Sequence, residues 1–348
     1  MKKMIFSWLC VIGFSFGALA QPSDTAQLRD PVPAVYTVVK GDTLWDISSA
    51  FLENPWMWPE IWHVNTQIAN PHLIYPGDII KLVYIDGQPR LTIDRPGGRT
   101  FKLSPQARVL EAEDAISTIP LEKINSWLSR SRILQDNELE RAPYVVAGEN
   151  NRLLVGEGDS LYARGSFPNN TIGTGYGIFR KGEAYVDPET GEKLGMLARD
   201  IGSVEIRTPS SSSDITTMNV TRTTEEVRLA DRFLEHEERL VETTFYPSPP
   251  ATPVKGQIVG VERGVTQIGK LSIVMLSLGD RDNVESGNVL AIFKKGKTIV
   301  DRVTKEKVTL PDERSGLVMV FKTYEKMSLG LVLEAGFGVT VNDIVKNP

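Results

Sequence analysis

Two Gly-Asp turns constrain the fold of this 348-residue chain more than any other feature. The first turn, "KGD" at residues 40–42, follows "YTVV" at residues 36–39, whose β-branched and aromatic residues predict a short strand. The second turn lies in "YPGD" at residues 75–78 and precedes "IIKL" at residues 79–82, which predicts a closing strand. Two short strands this far apart in sequence can pair antiparallel.

The residues between the turns predict two helices, stacked on one face of the strand pair. Thr43 and Asp46 form a T-x-x-D capping box for a helix that runs to about Leu52. Asn54 precedes a proline, which disfavours its α conformation and ends this helix, and Pro59 suits the first turn of a second helix, "PEIWHVNTQ". Three apolar residues of the first helix share one buried face: Leu44, Ile47 and Phe51.

The segment from Tyr36 to Leu82 resembles the LysM family, a βααβ module that binds N-acetylglucosamine polymers such as peptidoglycan. The opening "YTVVKGDTLWDI" matches the family pattern Y-x-V-x-x-G-D-T-L-W-x-I, and the close "LIYPGDIIKL" matches the end of the module. One departure is the stretch "LENPWMWPE", which is longer and more aromatic than the usual loop between the helices.

The resemblance implies a shallow glycan groove between the loop after the first strand and the loop before the second. Carried over by position, the groove residues are Gly41, Asp42, Thr43 and Leu44 on one side and Asn70, Pro71, His72, Leu73, Ile74, Tyr75 and Pro76 on the other. Acetamido groups need backbone N–H and C=O partners, and the sugar's apolar face needs a wall such as Leu73 or Ile74. Structural roles remain open beside these: Gly41 as a turn residue, Thr43 as a helix cap and Leu44 in the core.

Four of the chain's six tryptophans lie in this segment. Trp62 is expected to pack in the core of the second helix, whereas Trp45 is expected to point partly outward. Between Pro55 and Pro59 we expect Trp58 to lie inward and Trp56 nearer to solvent. His63 and His72 have no third Cys or His ligand beside them, so neither a metal site nor another cofactor is expected.

The N-terminus predicts export. Residues 1–20 combine "MKK", a short apolar run and "ALA" at Ala18–Ala20, the features of a cleavable signal peptide. Residues 21–34 are Pro-rich and predict a disordered or extended linker. Cleavage after Ala20 would remove Cys10, the chain's one cysteine, and leave no membrane span, which favours a periplasmic protein stabilised by packing alone.

Composition narrows the class of partner. The formal net charge is −5 and no block of Lys and Arg stands out. Nucleic acid and anionic membranes are held by clustered positive charge, so neither is expected as a partner. A neutral polymer such as peptidoglycan fits better, together with an envelope protein that would bind the C-terminal region.

The remaining chain predicts an α+β protein whose C-terminal part is β-rich. We interpret residues 35–83 as the LysM module, 84–165 as a mixed α/β connecting region, 166–246 as a first β-rich unit and 254–348 as a second. The two units are predicted to be related, because "IFRKG" at residues 178–182 is repeated as "IFKKG" 114 residues later. Further pairs keep the same offset: Val186 and Val300, Asp187 and Asp301, Glu192 and Glu306, Gly202 and Gly316.

No catalytic constellation is apparent. After signal cleavage there is no thiol, His236 is the only histidine outside the module, and no Gly-x-Ser-x-Gly elbow occurs. We therefore expect a non-catalytic protein that binds peptidoglycan through one LysM module and anchors a C-terminal interaction scaffold in the cell envelope. The alternative is a cell-wall hydrolase of unrecognised type, because paired carboxylates cannot be dismissed among 44 acidic residues.

Overall fold

A computed structural model describes residues 26–62, 74–94, 119, 121–128, 131–135, 137–210, 214–235, 245–262, 267–336 and 338–348. The predicted signal peptide, His63 and His236 lie outside these residues. Within the described residues, no helix is both long enough and apolar enough to cross a membrane.

The N-terminal module has the predicted β-α-α-β order. Its elements are β1 (Val35–Thr37), α1 (Leu44–Phe51), a 3₁₀ turn (Pro55–Met57), α2 (Trp58–Trp62), β2 (Ile79–Ile85) and β3 (Gln88–Asp94). Strand β1 pairs antiparallel with β2, with Tyr36 opposite Ile80. Helix α1 begins at the predicted cap, because the Thr43 side chain accepts the Asp46 N–H at 3.2 Å.

The module is larger than the sequence indicated. Strand β2 does not end at Leu82 but continues to Ile85, where Asp86 and Gly87 turn the chain at positive φ into β3. Strand β3 pairs along the whole of β2, and its Leu91 is fully buried in the module's core. The predicted linker also contributes, since Arg29 donates its backbone N–H to the Phe51 carbonyl at 2.9 Å.

A connecting segment leads to a first barrel. It contains α3 (Leu121–Leu128), β4 (Ser131–Leu134) and α4 (Glu138–Arg141). The strands that follow are β5 (Tyr144–Gly148), β6 (Leu154–Val155), β7 (Ser160–Arg164), β8 (Gly175–Val186), β9 (Lys193–Thr208), β10 (Ile215–Thr223), β11 (Val227–Arg228) and β12 (Arg232–Glu235). Pairing of β9 with β10 closes six strands into a ring in the order β5-β7-β10-β9-β8-β12, with β4 added beside β9.

The first barrel begins earlier than the sequence interpretation placed it. Strands β5 and β7 lie in the segment 84–165 that was interpreted as a connecting region, yet both belong to the ring. They pair with each other, but the second partner of each is far away in sequence: Ala163 of β7 lies opposite Thr216 of β10, and Tyr144 of β5 lies opposite Arg232 of β12. Such long-range pairing leaves no local signal, which explains the misplaced boundary.

A second closed barrel follows. Its elements are β13 (Lys255–Val261), β14 (Gln267–Ile268), β15 (Ile273–Leu276), a 3₁₀ turn (Asp280–Asp282), β16 (Val289–Lys294), β17 (Thr298–Val300), β18 (Lys307–Thr309), β19 (Glu313–Thr323), β20 (Ser328–Ala335), β21 (Val339–Thr340) and β22 (Ile344–Lys346). The ring order is β13-β15-β20-β19-β16-β22, and β17 and β18 form a separate two-stranded ribbon. The protein is thus α+β at its N-terminus and β-rich beyond it.

One apolar cluster joins the three parts of the protein. It contains Trp45 of the module, Tyr185 and Leu194 of the β8–β9 hairpin, Phe245, and Met275 of the second barrel. Separate clusters fill the module and the interiors of the two barrels. Each part therefore has a core of its own and also contributes side chains to the shared cluster at the junction.

Candidate functional site

The two Gly-Asp turns of the N-terminal module adopt the same hydrogen-bonded geometry. In the first turn, Asp42 Oδ2 accepts the Val39 N–H at 2.9 Å, and the Asp42 N–H donates to the Val39 carbonyl at 3.2 Å. In the second turn, Asp78 Oδ2 accepts the Tyr75 N–H at 3.1 Å, and the Asp78 N–H donates to the Tyr75 carbonyl at 3.0 Å. Each aspartate thus closes its own loop, as short polar side chains commonly do in turns.

The glycine before each aspartate has a conformation that side chains rarely adopt. Gly41 has φ 99° and Gly77 has φ 92°. Both are exposed, and a Cβ added at either position would meet no heavy atom within 4 Å. The requirement for glycine is therefore conformational rather than steric, and no side chain or neighbouring atom covers the Cα of either residue.

Backbone hydrogen bonds hold the two loops side by side. The Val38 N–H donates to the Asp78 carbonyl at 2.9 Å, and the Gly77 N–H donates to the Val38 carbonyl at 2.8 Å. This pair continues the β1–β2 ladder beyond the end of β1. The loops consequently lie along one edge of the module.

The Tyr36 side chain stabilises the first loop through a hydrogen bond to Asp42. Its hydroxyl donates to Asp42 Oδ2 at 3.0 Å. Burial, together with the hydrogen bond and the negative charge of Asp42, raises the pKa of Tyr36 to about 12. The hydroxyl therefore remains a donor throughout the neutral range.

The predicted groove residues divide into accessible and buried groups. Gly41 is exposed, and Asp42, Tyr75 and Pro76 are partly exposed. The side chains of Thr43, Leu44 and Ile74 are buried. The remaining predicted residues lie outside the described part of the chain: Asn70, Pro71, His72 and Leu73.

The burial of Ile74 corrects its expected role as an apolar wall for the sugar. Ile74 has no exposed surface and packs in the module's core with Leu44 and Ile80. Its position directly before the second turn makes it the first inward residue on the way into β2, so the side chain points away from the groove. The loops carry exposed residues that sequence reasoning did not select, namely Val39, Lys40 and Gly77. Strand alternation was the available signal for Val39, because Val38 is buried.

The tryptophans lie mostly inside. Trp58 and Trp62 are buried in the module's core, and Trp56 is partly exposed, in the predicted order. Trp45 was expected to point partly outward, but it is buried in the cluster shared with the second barrel. The Trp45 side chain does point out of the module's own core, as expected, but residues of the second barrel cover it. Lys270 of the second barrel fixes the same helix face, with Nζ 3.0 Å from Asp46 Oδ1.

Comparison with known proteins identifies the module. Residues 36–83 match the LysM domain family. An uncharacterised protein of Bacillus subtilis (strain 168), YqbP, is 40% identical over 60 residues, which cover 14% of this chain and 27% of that protein. The chain therefore spans about a quarter of the length of this relative. The match and the β-α-α-β architecture agree: residues 36–83 of this protein are a LysM domain, a peptidoglycan-binding module.

Proposed function

We propose that this protein is a non-catalytic peptidoglycan-binding protein of the periplasm, in which the LysM domain anchors two β-barrels that act as an interaction scaffold. The observation that carries the glycan-binding part is the LysM match over the two tied Gly-Asp loops. Peptidoglycan lies outside the inner membrane, which supports the location. The scaffold role rests on the large β-rich region, which covers most of the described chain after the module.

The loop geometry supports recognition of acetamido sugars. Gly41 and Gly77 are exposed and carry no side chain, so a sugar can approach both loops closely, and exposed Val39 offers a small apolar surface beside them. Each net hydrogen bond to a sugar would contribute about 0.5–1.5 kcal/mol, so a few of them give micromolar to millimolar affinity for a short glycan. Tight attachment would then come from repeated contacts along the polymer.

A pair of matched substitutions tests the groove in the full chain. Val39→Glu places a carboxylate beside the loops, where burying it against a sugar is unfavourable, and it should lower the affinity for insoluble peptidoglycan by roughly tenfold or more. Val35→Glu puts the same charge on the same exposed side of β1, away from the loops, and should leave binding unchanged. Co-sedimentation with purified peptidoglycan measures both. Equal losses in the two variants would place the binding surface elsewhere.

The absence of catalysis is tested with the same preparation. Incubated with a peptidoglycan suspension, the protein should leave the turbidity constant and release no soluble fragments. Clearing of the suspension would support a hydrolase instead, targeted to its substrate by the same LysM domain.

We also propose that the two barrels are related copies of one unit. The strand registers support this: Ile178 lies opposite Gly202, and Ile292 lies opposite Gly316, with a bulge directly after each isoleucine. Both bulges and both pairs keep the 114-residue offset of the sequence repeat.

The hairpin tips support the same relation. The Asp187 carbonyl accepts the Gly191 N–H at 2.9 Å, and the Asp301 carbonyl accepts the Lys305 N–H at 2.9 Å. Gly191 and Lys305 both have positive φ. In each tip the aspartate side chain also accepts two backbone N–H groups, two and three residues further on.

A further inference from the structure

The β8–β9 hairpin extends from the first barrel and lies on the second. Tyr185 packs against the bare backbone of Gly260 in β13, where an added Cβ would come within 2.5 Å of the tyrosine ring. At the tip, Glu192 is held by Arg281 at 2.8 Å and Lys326 at 3.3 Å. One barrel thus presents a hairpin and the next barrel receives it.

The β17–β18 ribbon is the equivalent hairpin of the second barrel, and its corresponding face is exposed. Tyr185 is 4% exposed, whereas Ile299, 114 residues later, is 45% exposed. Leu194 is 1% exposed, whereas its counterpart Val308 is 42% exposed. Leu310 extends this apolar face, which Ile299 and Val308 form as directly opposed residues.

The other face of the two hairpins behaves differently. Val186 and Val300 are equivalent positions, and both are exposed. They precede the hairpin turns and point to the side opposite Tyr185 and Ile299. The two hairpins therefore differ in exposure on one face only. In the β8–β9 hairpin, this is the face that contacts the second barrel.

The first barrel carries the counterpart of the receiving surface. In the second barrel Gly260 lies opposite Met275, after a bulge in β13. In the first barrel Ala147 lies opposite Tyr162, after a bulge in β5 at the equivalent position. Met275 is 1% exposed beneath the hairpin, whereas Tyr162 is 36% exposed. Val146, within the β5 bulge, is exposed as well.

We propose that copies of this chain associate head to tail, with the β17–β18 ribbon of one copy lying on β5 and β7 of the next. The inference rests on the proposed equivalence of the two barrels and is independent of glycan binding. Among the described residues of each copy, one hairpin face and one receiving surface are exposed, so the contact within the chain can be repeated between chains. Because two different surfaces meet, the interface is heterologous and extends into a ring or a filament.

The charges at the two surfaces favour the same pairing. Between residues 297 and 309 the ribbon carries four basic and two acidic side chains, a net charge of +2. Exposed acidic side chains lie at the ends of the receiving strands: Glu149 directly follows β5, and Glu157 precedes β7. Opposite charges at the rim of an interface speed the encounter of the two surfaces.

Sedimentation velocity over a concentration series tests the association in the full chain. The parent should form oligomers beyond a dimer. Ile299→Glu on the ribbon and Tyr162→Glu on the receiving surface should each raise the concentration for half-association by roughly tenfold or more. Val300→Glu, on the opposite face of the ribbon, is the matched control and should associate like the parent. A mixture of the first two variants should stop at a one-to-one dimer, because one intact ribbon and one intact receiving surface remain.

Disulfide trapping tests the geometry. In a Cys10→Ser background, a mixture of the single variants Ile299→Cys and Ala147→Cys should form a mixed disulfide, since these positions are equivalent to Tyr185 and Gly260. Val300→Cys mixed with Ala147→Cys should form far less. The proposal would be overturned by a monomer at every concentration, by equal trapping of positions 299 and 300, or by predominant 299–299 disulfides, which would indicate a two-fold contact between ribbons.

Discussion

Aspartate side chains determine how this chain turns. In the part of the chain that the structure describes, six of them accept the backbone N–H of the residue three positions earlier: Asp42, Asp78, Asp159, Asp231, Asp282 and Asp343. In five of the six, all but Asp282, the residue before the aspartate has positive φ. Glycine occupies that position in three turns, but Ala230 and Asn342 occupy it in the two turns that lead into the last strand of each barrel. The turns with Gly-Asp could be predicted from sequence, whereas Ala230 gives no signal for its strained conformation.

Tyr36 gives the N-terminal module a specific dependence on pH. Its pKa is raised to about 12 in the folded protein from the ordinary tyrosine value of 10.0, so folding favours the protonated form. The contribution is complete below pH 10 and is lost as the pH rises toward 12. We expect Tyr36→Phe to remove this part of the alkaline loss of stability and to lower stability at pH 7 by about 0.5–1.5 kcal/mol. Urea unfolding of both proteins between pH 8 and pH 12 measures the difference (the pH range follows from the two pKa values).

Ile74 is expected to serve stability rather than binding directly. Because its side chain is fully buried, Ile74→Ala should lower the free energy of unfolding by about 2–5 kcal/mol. Ile85→Ala, at the exposed end of β2, should change it by about 0.5 kcal/mol or less. Urea titrations give both values. If the Ile74→Ala protein were as stable as the parent but bound peptidoglycan poorly, Ile74 would be a glycan-contacting residue after all.

At the scale of elements, the helices and strands that could be predicted from the sequence are those that local signals determine. The cap at Thr43, the two Gly-Asp turns and the alternation in β1 and β2 act within a few residues, so the β-α-α-β order followed from them. The strand-like alternation of "GQPRLTI" at residues 87–93 was visible, and "DG" at residues 86–87 is a strong hairpin signal. Strand β3 was still not assigned to the module, because the family resemblance ended at Leu82. Barrel closure depends on β5 and β7 meeting strands far along the chain, and no local pattern specifies that.

The β8–β9 hairpin should contribute most of the coupling between the barrels. Tyr185→Ala removes a buried ring, whose burial raises its pKa, and should lower the free energy of unfolding by about 3–5 kcal/mol. Val186→Ala alters the adjacent exposed residue and should change it by about 0.5 kcal/mol or less. Denaturant unfolding followed by tryptophan fluorescence compares the two. A similar small effect in both would show that the hairpin contact is dispensable.

At the scale of the whole molecule, the LysM domain is docked rather than tethered. Trp45 enters the cluster at the junction, the ring of Trp58 lies 6.4 Å from that of Tyr246, and Asp46 pairs with Lys270. These contacts use one side of helix α1 and its neighbours. Gly41 and Gly77 remain exposed in the docked arrangement, so the two Gly-Asp loops and the barrels have a fixed relation to each other.

Removal of Trp45 should loosen this arrangement without unfolding the module. Trp45→Ala leaves the module's own core, including Ile47 and Phe51, in place. We expect a larger radius of gyration in small-angle X-ray scattering and unchanged binding to peptidoglycan. Lys270→Ala breaks only an exposed ion pair, worth about 0–1 kcal/mol, and should leave the radius unchanged. An identical radius in Trp45→Ala and the parent would mean that other contacts hold the domain.

Strand β3 sets the size of the smallest fragment that can be transplanted as a fusion tag. The family match ends at residue 83, inside β2, which runs to Ile85. A fragment cut there would lose Leu91 from its core and would leave one edge of β2 with unpaired backbone groups, a template for aggregation. A tag that folds cleanly therefore has to reach Asp94. Its Trp45, no longer covered by the second barrel, is the position to replace with a polar side chain.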